Sequence, residues 1–326
     1  MRNIKKMKKI LAALCALSAA AFFGCKEKSA ASDSSAAKKI KIGVIQLVEH
    51  PALDQAYKGF VDGLAADGYV DGDNIAIDYQ NAQGEQANCV TIANKLINDK
   101  DDLIFAIATP AAQAVANLTK DIPILISAVT DPKTANLVQS NEHPGTNVSG
   151  TSDLTPVAAQ IKLLKKIVPN AKKVGLMYCS SEANSIFQID LAKKACAEED
   201  LEFIEGSVSA SNEIQQVTQG FVGKVDAIYV PTDNMLAAGM ANVAMVANNA
   251  KIPVICGEEG MVVSGGLATY GINYYELGKQ TAAQAVAILH DGKNPADMPI
   301  EYNEKCTLSV NHDTEAAIGV KVPEEL

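Results

Sequence analysis

Short runs of apolar residues recur along the chain, and each ends at a polar turn that leads into a segment with helical periodicity. Leu103–Ala108 is one such run, with acidic residues before it and Thr109-Pro110 after it. It is too short for a helix, and its unbroken apolar character is typical of a strand buried on both faces. Thr109 is predicted to cap the next helix, with Pro110 at its first position. Ile124–Ser127 repeats the pattern, which predicts a second parallel strand beside the first.

This alternation continues from Lys41 and predicts an α/β fold, in which helices cover parallel sheets. The first set of predicted strands is Ile42–Leu47, Asn74–Tyr79, Leu103–Ala108 and Ile124–Ser127, with helices at Leu53–Asp67, Glu85–Asn98, Ala111–Lys120 and a short piece after Asp131. The second set has strands at Lys173–Tyr178, Leu201–Glu205, Val225–Val230 and Pro253–Cys256, with helices at Pro156–Val168, Glu182–Glu199, Asn212–Val222 and Asn234–Asn249.

The two sets resemble each other in sequence. Lys41-Ile42-Gly43-Val44 matches Lys173-Val174-Gly175-Leu176, and Ile122-Pro123-Ile124 matches Ile252-Pro253-Val254. Matching strand and turn units at near-constant spacing predict two similar parallel-sheet lobes rather than one long sheet. Ligands of open α/β sheets bind beyond the carboxyl ends of the strands, so a ligand cleft is expected between the lobes.

The chain continues past the second set, which predicts that it returns to the first lobe. We expect the helix Tyr275–His290 on lobe one and the C-terminal tail on lobe two, so that several strands form the hinge. The predicted division is 41–150 and 273–303 for lobe one, and 151–272 and 304–326 for lobe two.

The N-terminal segment predicts export rather than part of the fold. Lysines precede the apolar run Ile10–Phe23, which is too short to span a membrane and is typical of a signal peptide over residues 1–24. Gly24-Cys25 resembles a bacterial lipobox, which predicts lipidation of Cys25, cleavage before it, and a membrane anchor. Residues 25–40, rich in Ser, Ala and Lys, are predicted to be a flexible tether. The alternative is an ordinary signal peptide with an incidental cysteine.

The net charge and the absence of certain motifs argue against several classes of function for this protein. The chain of 326 residues has a formal net charge of −10, which argues against nucleic acid as a partner. The four histidines lack metal-binding spacing, and no nucleophile elbow or phosphate-binding loop is present. We therefore expect no metal, no cofactor and no catalysis. The five cysteines after Cys25 are interpreted as small buried hydrophobic residues, with disulfides unassigned.

The turns after the strands supply candidate groups for binding. Thr109 and Ala111 stand at a predicted helix start, where free amide groups favour a carboxylate, and Ser127 and Thr130 add hydroxyls. The alternative role for Thr109 is a simple helix cap. Five acids follow strands and are candidates for a cationic group, with Asp233 and Glu182 placed first: Glu49, Asp131, Glu182, Asp233 and Glu258. Tyr178 and Tyr270 can present rings to an apolar or aromatic ligand, or pack in the core.

Several of these turns resemble one known family. They are similar to turns of the ABC-transporter substrate-binding proteins that include tryptophan and tyrosine binders. The stretches that carry the resemblance are Glu49-His50-Pro51-Ala52-Leu53-Asp54, Ala108-Thr109-Pro110-Ala111-Ala112-Gln113, Ala128-Val129-Thr130-Asp131-Pro132, Ser181-Glu182-Ala183-Asn184-Ser185, Pro231-Thr232-Asp233-Asn234 and Tyr270 to Gly278. Cys179 departs from the pattern, which has an asparagine there. The resemblance covers about residues 40 to 322 and implies a type I periplasmic-binding fold, an amino-acid ligand, and a permease with ATPase subunits as partners.

The full set predicted to contact ligand is Glu49, Thr109, Pro110, Ala111, Ser127, Val129, Thr130, Asp131, Tyr178, Ser180, Ser181, Glu182, Asn184, Thr232, Asp233, Asn234, Glu258 and Tyr270. The favoured function is a lipid-anchored binding protein of an ABC importer, facing the periplasm or the extracellular side. The alternatives are a ligand sensor of the same fold without a transporter, a binding protein for a sugar or nucleoside, and a secreted enzyme.

Overall fold

Residues 39–303 and 305–326 are described by a computed structural model. The predicted signal peptide, Cys25 and Glu304 lie outside the described residues, as does the tether up to residue 38. Ile40, the last residue assigned to the tether, is the first residue of a strand.

Strands and helices alternate through the first half of the chain, as the hydrophobic pattern predicts. The strands are β1 (Ile40–Gln46), β2 (Ile75–Asn81), β3 (Leu103–Ile107), β4 (Ile124–Val129) and β5 (Val148–Ser152). The helices between them are α1 (Pro51–Ala66), α2 (Gln86–Asn98) and α3 (Thr109–Leu118).

The second half contains more and shorter elements. Its strands are β6 (Lys173–Cys179), β7 (Glu202–Val208), β8 (Ala227–Val230), β9 (Val254–Cys256), β10 (Ala268–Gly271), β11 (Glu301–Tyr302) and β12 (Thr307–Val310). Its helices are α4 (Val157–Ile167), α5 (Ala183–Glu198), α6 (Ile214–Gln219), α7 (Asn234–Ala238), α8 (Met240–Asn249), α9 (Glu259–Val263), α10 (Tyr274–Leu289) and α11 (His312–Ile318).

The strands of the described residues form two sheets of six. The first has the order β11-β5-β4-β3-β1-β2, and all its pairs are parallel. The second has the order β12-β10-β9-β8-β6-β7, parallel except where β12 joins β10. The predicted fold class of two parallel-sheet lobes is therefore confirmed. We call the first sheet, with the helices packed on it, lobe one, and the second sheet, with its helices, lobe two.

The chain passes between the two sheets three times. It leaves lobe one after β5, returns after β10, and leaves again between β11 and β12. The helix α10 packs with lobe one, because Tyr274, Leu277 and Ala282 belong to the same buried cluster as β1 and β3. The lobes are therefore connected by three crossings of the chain.

Three predicted helices differ from the structure. The segment after Asp131 forms turns, because the Asp131 carboxylate accepts a bond from the Thr134 N–H and Asn136 has a φ of 59°. The helix predicted over 234–249 is divided into α7 and α8 at Gly239, where Ile214 packs against the backbone. The helix predicted over 212–222 is reduced to α6, preceded by a short 3-10 turn.

The cysteines are free thiols in the part of the chain that the structure describes. Cys89, Cys179, Cys196 and Cys256 are buried, in keeping with their interpretation as small hydrophobic residues. Cys306 is exposed between β11 and β12, so that interpretation is wrong for this residue.

Two glycines allow α1 and α10 to pack with their backbones in close approach. A Cβ on Gly278 would lie 2.0 Å from the Ala56 carbonyl oxygen, and a Cβ on Gly59 would lie 2.0 Å from the Tyr275 carbonyl oxygen. Real carbon atoms do not approach carbonyl oxygens so closely. Any larger side chain at either position would therefore push the two helices apart.

We expect Gly278→Ala to lower the free energy of unfolding by about 1–3 kcal/mol, as overpacking does, even though alanine favours a helix by about 0.5–1 kcal/mol. Urea unfolding measures this change. Lys194→Ala on the exposed face of α5 is the control and should change stability by less than about 0.5 kcal/mol. Equal stability of Gly278→Ala and wild type would contradict the close packing.

Candidate ligand-binding site

A cavity lies between the lobes, beyond the carboxyl ends of strands from both sheets. About 260 Å³ of its space is not filled by atoms, including a part open to solvent. Each sheet contributes residues that directly follow its strands, as expected for a ligand site of an open α/β fold. The lining residues are His50, Leu53, Ala128, Asp153 and Tyr274 from lobe one and the chain that joins it, and Asn184, Thr232, Asp233, Asn234, Ala237 and Glu258 from lobe two.

Three carboxylates line this cavity, and all three are buried. Burial raises the pKa of Asp153 to about 6, even though a bond from Tyr274 acts in the opposite direction. Burial also raises the pKa of Glu258 to about 7, and the charge of Asp153 adds to the effect. The pKa of Asp233 is raised by burial first and by the charge of Glu182 second. The lining holds no lysine or arginine. The cavity is therefore acidic and suited to a cationic group.

Asp233 and Glu258 both cap helices. Asp233 accepts bonds from the N–H of Leu236 at 2.8 Å and from the N–H of Cys179 at 2.5 Å, and so joins α7 to the end of β6. Glu258 accepts from the N–H groups of Gly260 and Met261 at the start of α9. Their oxygens thus satisfy backbone donors of helix starts, which is a structural role in itself.

Glu182 lies behind the cavity wall and holds two lining residues. Its Oε2 accepts from the Asn234 side chain at 2.5 Å and from the Asn184 side chain at 3.2 Å. Its Oε1 accepts from the Met235 N–H at 3.0 Å. Glu182 therefore orients the amide groups of Asn184 and Asn234.

Asp153 differs from the other acids because its carboxylate accepts bonds from hydroxyl groups. Thr130 Oγ1 donates to Oδ1 at 3.1 Å, and the Tyr274 hydroxyl donates to Oδ2 at 2.7 Å. It lies in the first chain crossing, just after β5, while Tyr274 lies just after the second crossing. Asp153 thus connects two hinge segments and retains acceptor capacity towards the cavity.

Polar contacts also run directly from lobe to lobe. Gln188 Nε2 on α5 donates to Thr130 Oγ1 at 3.3 Å, and Thr130 lies 3.5 Å from Thr232. His50 Nε2 approaches Asn234 Oδ1 at 3.5 Å. All these side chains are buried. The lobes are therefore closed on each other in this structure.

Two polar atoms of the cavity lining have no hydrogen-bond partner. They are Nδ1 of His50 and Oδ1 of Asn184, both buried. Burial lowers the pKa of His50 to about 4, so its ring is neutral at physiological pH. Buried polar atoms without a partner are costly, and these two therefore mark the place where a ligand can bond.

Part of the predicted ligand set meets at this cavity. Glu182 and Thr130 bond to lining residues, as described above. The predicted residues that line the cavity themselves are Asn184, Thr232, Asp233, Asn234 and Glu258.

Six other predicted residues lie away from the cavity. Glu49, Ser180 and Ser181 are exposed, and Asp131 caps its own turn. The rings of Tyr178 and Tyr270 pack against the buried cluster on one face of the second sheet, and the Tyr178 hydroxyl donates to Glu205. Since side chains alternate along a strand, these two rings point to the helix layer rather than past the strand end.

The predicted carboxylate site at the start of α3 is buried within lobe one. The helix includes Thr109, and its N-cap position is Ala108, so Thr109 is not the cap. Thr109 Oγ1 is buried without a partner, whereas Ser127 accepts a bond from Thr151. The buried residues Pro110, Ala111 and Val129 also stand near this helix start, and none lines the cavity.

The backbone is strained on both sides of this helix start. Ala108 has a φ of 81° and Ala128 has a φ of 56°, values that alanine rarely adopts. Ala108 donates its N–H to the Ser127 carbonyl, so the strained residues sit at neighbouring strand ends. Such strain often accompanies ligand sites, and Ala128 lines the cavity.

The sequence interpretation missed six lining residues. His50 and Leu53 stand in the stretch that follows β1, and Tyr274 follows β10, so position after a strand was the available signal. Asp153 follows β5, whose polar sequence Val-Ser-Gly-Thr-Ser gives no apolar run. Ala128 and Ala237 carry no chemical signal at all.

Within residues 39–303 and 305–326, no group of three or more His, Cys, Asp and Glu side chains is arranged to hold a metal ion. None of the helices in that part of the chain has the length and apolar character required to cross a bilayer.

Two parallel-sheet lobes that close over a cavity at their strand ends define a two-lobed solute-binding protein. The chain belongs to the ABC transporter substrate binding protein family, whose model matches residues 41–326. The resemblance seen in the turns is thereby confirmed, and the fold is that of type I periplasmic binding proteins.

Three relatives are similar over most of the chain, and two of them have stated ligands. The tyrosine-binding protein of Clostridioides difficile (strain R20291) is 44% identical over 324 residues, covering 97% of this chain and 94% of its own. A solved domain from Streptococcus pneumonia in complex with L-Trp is 39% identical, with a TM-score of 0.85, covering 88% of this chain and 97% of its own. A ligand-free, open substrate binding protein with adhesive properties from Clostridium difficile is 48% identical, with a TM-score of 0.68, covering 87% and 96%.

The raised carboxylate pKa values predict how stability depends on pH. An acid whose pKa is higher in the folded state binds more protons there, so its stabilising contribution is lost as pH rises through the folded pKa. For Glu258, with a folded pKa of about 7, the free energy of unfolding should fall by about 1 kcal/mol between pH 6.5 and 8. His50 acts in the opposite direction only below pH 6.5, because its folded pKa is lowered to about 4.

Urea unfolding of the ligand-free protein at the two pH values measures this loss. Glu258→Gln should remove about 1 kcal/mol of it, whereas the exposed control Glu198→Gln should leave it intact. The assignment fails if Glu258→Gln and wild type show the same pH dependence.

Proposed function

We propose that this protein is an extracytoplasmic lipoprotein that binds an amino acid with an aromatic or apolar side chain and delivers it to an ABC permease with its ATPase subunits. The observation that carries the proposal is the acidic cavity between the closed lobes, without a lysine or arginine in its lining. The tyrosine-binding relative and the L-Trp complex support the same ligand class.

The cavity lining matches both parts of such a ligand. Its buried acids complement an ammonium group, since a charge out of water requires an opposite charge or strong hydrogen bonds. Leu53, Ala128, Ala237 and the ring of Tyr274 provide apolar surface for the side chain. A sugar or nucleoside has no cation to place beside three carboxylates, and the lining therefore favours the amino acid.

We place Asp153 before Asp233 as the partner of the ammonium group. Asp233 is occupied by two backbone donors, and its substitution would loosen the start of α7. Asp153 receives neutral hydroxyl groups and lies in the hinge, where both lobes meet. Glu258 lies close enough for the Asp153 charge to raise its pKa, and so adds to the negative potential.

For the ligand carboxylate we retain the start of α3. The first amide groups of a helix have no partner within it, and they carry partial positive charge. Thr109 Oγ1 adds an unpartnered hydroxyl there. Ala128 lines the cavity at the end of the neighbouring strand, which brings this region next to the ligand space.

Binding is coupled to closure of the lobes in this proposal. The moving bodies follow the predicted division, with its first boundary moved to the end of β5: 41–152 with 273–303, and 153–272 with 305–326. The open, ligand-free relative has the higher identity of the two solved structures, 48% against 39%, yet the lower TM-score, 0.68 against 0.85. A rotation between lobes produces such a difference, and the interlobe contacts of Thr130 and His50 exist only when the lobes are closed.

Calorimetry with L-tyrosine, L-tryptophan, L-phenylalanine and L-leucine tests the ligand class. Loss of a bond between Asp153 and the ammonium group should cost about 1.5–3 kcal/mol, so Asp153→Asn should weaken binding roughly 10- to 150-fold. Because the pKa of Asp153 is about 6, wild-type affinity should rise from pH 5 to pH 7.5, and the variant should lose part of that rise.

The exposed residue Asp291 gives the matched control, Asp291→Asn, which should bind like wild type. Binding of a sugar or nucleoside, with none of the four amino acids bound, would reject the ligand class. Amino-acid binding that is unchanged in Asp153→Asn would leave the ligand class intact and transfer the ammonium role to Asp233 or Glu258, which also line the cavity.

The proposed anchor is lipidated Cys25, with residues 26–39 as the tether. Cys25→Ser should release the protein from the membrane fraction or leave its signal peptide attached. Membrane fractionation and intact-mass measurement check this prediction. The control is Cys306→Ser, a substitution at an exposed cysteine. Membrane association and mature mass equal to wild type in Cys25→Ser would reject the lipoprotein assignment.

A further inference from the structure

The two unpartnered atoms of the cavity lining have a definite hydrogen-bond character. Glu182 fixes the side chain of Asn234, because a carboxylate accepts and the Asn234 Nδ2 lies 2.5 Å from its Oε2. Asn234 Oδ1 therefore faces the other way, towards His50 Nε2 at 3.5 Å. An amide oxygen is an acceptor, so the proton of the neutral ring belongs on Nε2.

This arrangement leaves Nδ1 of His50 as a bare acceptor. The ring is neutral, since burial lowers its pKa to about 4, and a neutral imidazole has one N–H only. With that proton on Nε2, Nδ1 presents a lone pair. The structure gives Nδ1 no partner, although it is buried.

Asn184 is fixed by the same carboxylate. Its Nδ2 donates to Glu182 Oε2 at 3.2 Å and to the Thr232 carbonyl at 3.1 Å. These two donated bonds define which end of the amide carries nitrogen, so Oδ1 is the free end. This oxygen is also buried without a partner, and Asn184 lines the same cavity as His50.

We propose that His50 Nδ1 and Asn184 Oδ1 are specificity-determining acceptors that bond the N–H groups of the ligand's primary ammonium. The inference deepens the proposed function, on which it rests. A primary ammonium has three N–H donors and no acceptor, which matches two neutral acceptors beside the carboxylate of Asp153. A hydroxyl group would satisfy one acceptor but would leave the surrounding negative charge unbalanced.

The contacts from Glu182 to Asn234 and from Asn234 to His50 also make this recognition depend on closure of the lobes. Asn234 belongs to lobe two and His50 to lobe one, so the Nε2 contact that selects the tautomer exists only between closed lobes. A ligand without an ammonium group leaves Nδ1 and Asn184 Oδ1 unsatisfied in that closed form. Rejection of such ligands follows from the cost of unpaired buried acceptors.

The test combines two ligands with variants of His50. His50→Gln can keep an N–H towards Asn234 but removes the acceptor at Nδ1. Its affinity for L-tyrosine should fall roughly 10- to 150-fold, the effect of one bond to a charged group. Its affinity for the desamino analogue, 3-(4-hydroxyphenyl)propionate, should rise rather than fall, since that complex no longer contains the unpaired Nδ1. His143→Gln, at an exposed histidine, should change neither affinity.

A second variant and a spectroscopic measurement separate recognition from packing. His50→Asn can place its Oδ1 near the position of Nδ1 and should regain most of the preference for L-tyrosine over the analogue. In ¹⁵N-histidine spectra of the wild-type complex with L-tyrosine, His50 should carry its proton on Nε2. A proton on Nδ1 in that complex would overturn the inference.

The remaining outcomes distinguish this inference from the proposed function. Equal losses for L-tyrosine and its analogue in His50→Gln would overturn the inference and leave amino-acid binding intact. If wild type binds tyramine or another primary amine but none of the amino acids, and His50→Gln loses that amine, the inference holds and the amino-acid assignment fails. Wild-type binding of myo-inositol alone would overturn both.

Discussion

The closed structure depends on the burial of acidic side chains between the lobes. Isolated carboxylates are expensive to remove from water, and the structure compensates them with donors from the protein itself. Asp233 and Glu258 receive the free N–H groups of α7 and α9, while Asp153 receives hydroxyl groups of Thr130 and Tyr274. The compensation is partial, because burial still raises the pKa of all three. The acids therefore favour a cation in the cavity between the lobes.

The parallel sheets explain why the acids meet at this place. In each lobe the helix that follows a strand begins beyond the carboxyl end of the strand, so caps and strand ends gather at the same edge. Two lobes with the same construction, joined by three chain crossings, place these edges against each other. Short helices such as α7 and α9 present their N-termini and capping acids there, while Leu236 and Met261 anchor them in the buried cluster of lobe two. The ligand site is thus a consequence of helix capping in two facing sheets.

Sequence reasoning predicted the fold class because β3 and β4 are buried on both faces and are apolar, except for Ser127 in β4. The sequence-based prediction failed where a strand is buried but its sequence is not apolar. The strand β5 is wholly buried but contains serine, threonine and glycine, because Gly150 lies against the backbone of Ile126 and the hydroxyl groups bond across the sheet. The position of Asp153 was therefore not recognised, although an acid after a strand was the signal used for Asp233 and Glu258.

The sequence also could not show which tyrosines reach the cavity. Tyr178 and Tyr270 precede the strand ends by one residue, and the alternation of side chains turns them towards the helices of lobe two. Tyr274 lies three residues beyond β10, at the start of α10 just after the chain crosses back to lobe one, and reaches the cavity. A residue count along one strand cannot reveal this, because the position of the crossing depends on how the two lobes pack.

The histidine shows a further step that only three-dimensional structure supplies. In sequence, His50 is one residue before a proline that starts a helix, and its isolated position suggests no chemistry. In the structure, its properties arise from Asn234 and Glu182, far along the chain in the other lobe. Glu182 orients Asn234, Asn234 meets one ring nitrogen, and burial keeps the ring neutral. The chemical identity of the remaining nitrogen is therefore set by a contact between lobes. In the binding mode proposed here, recognition and closure are one event, because the acceptor is defined only when the lobes meet.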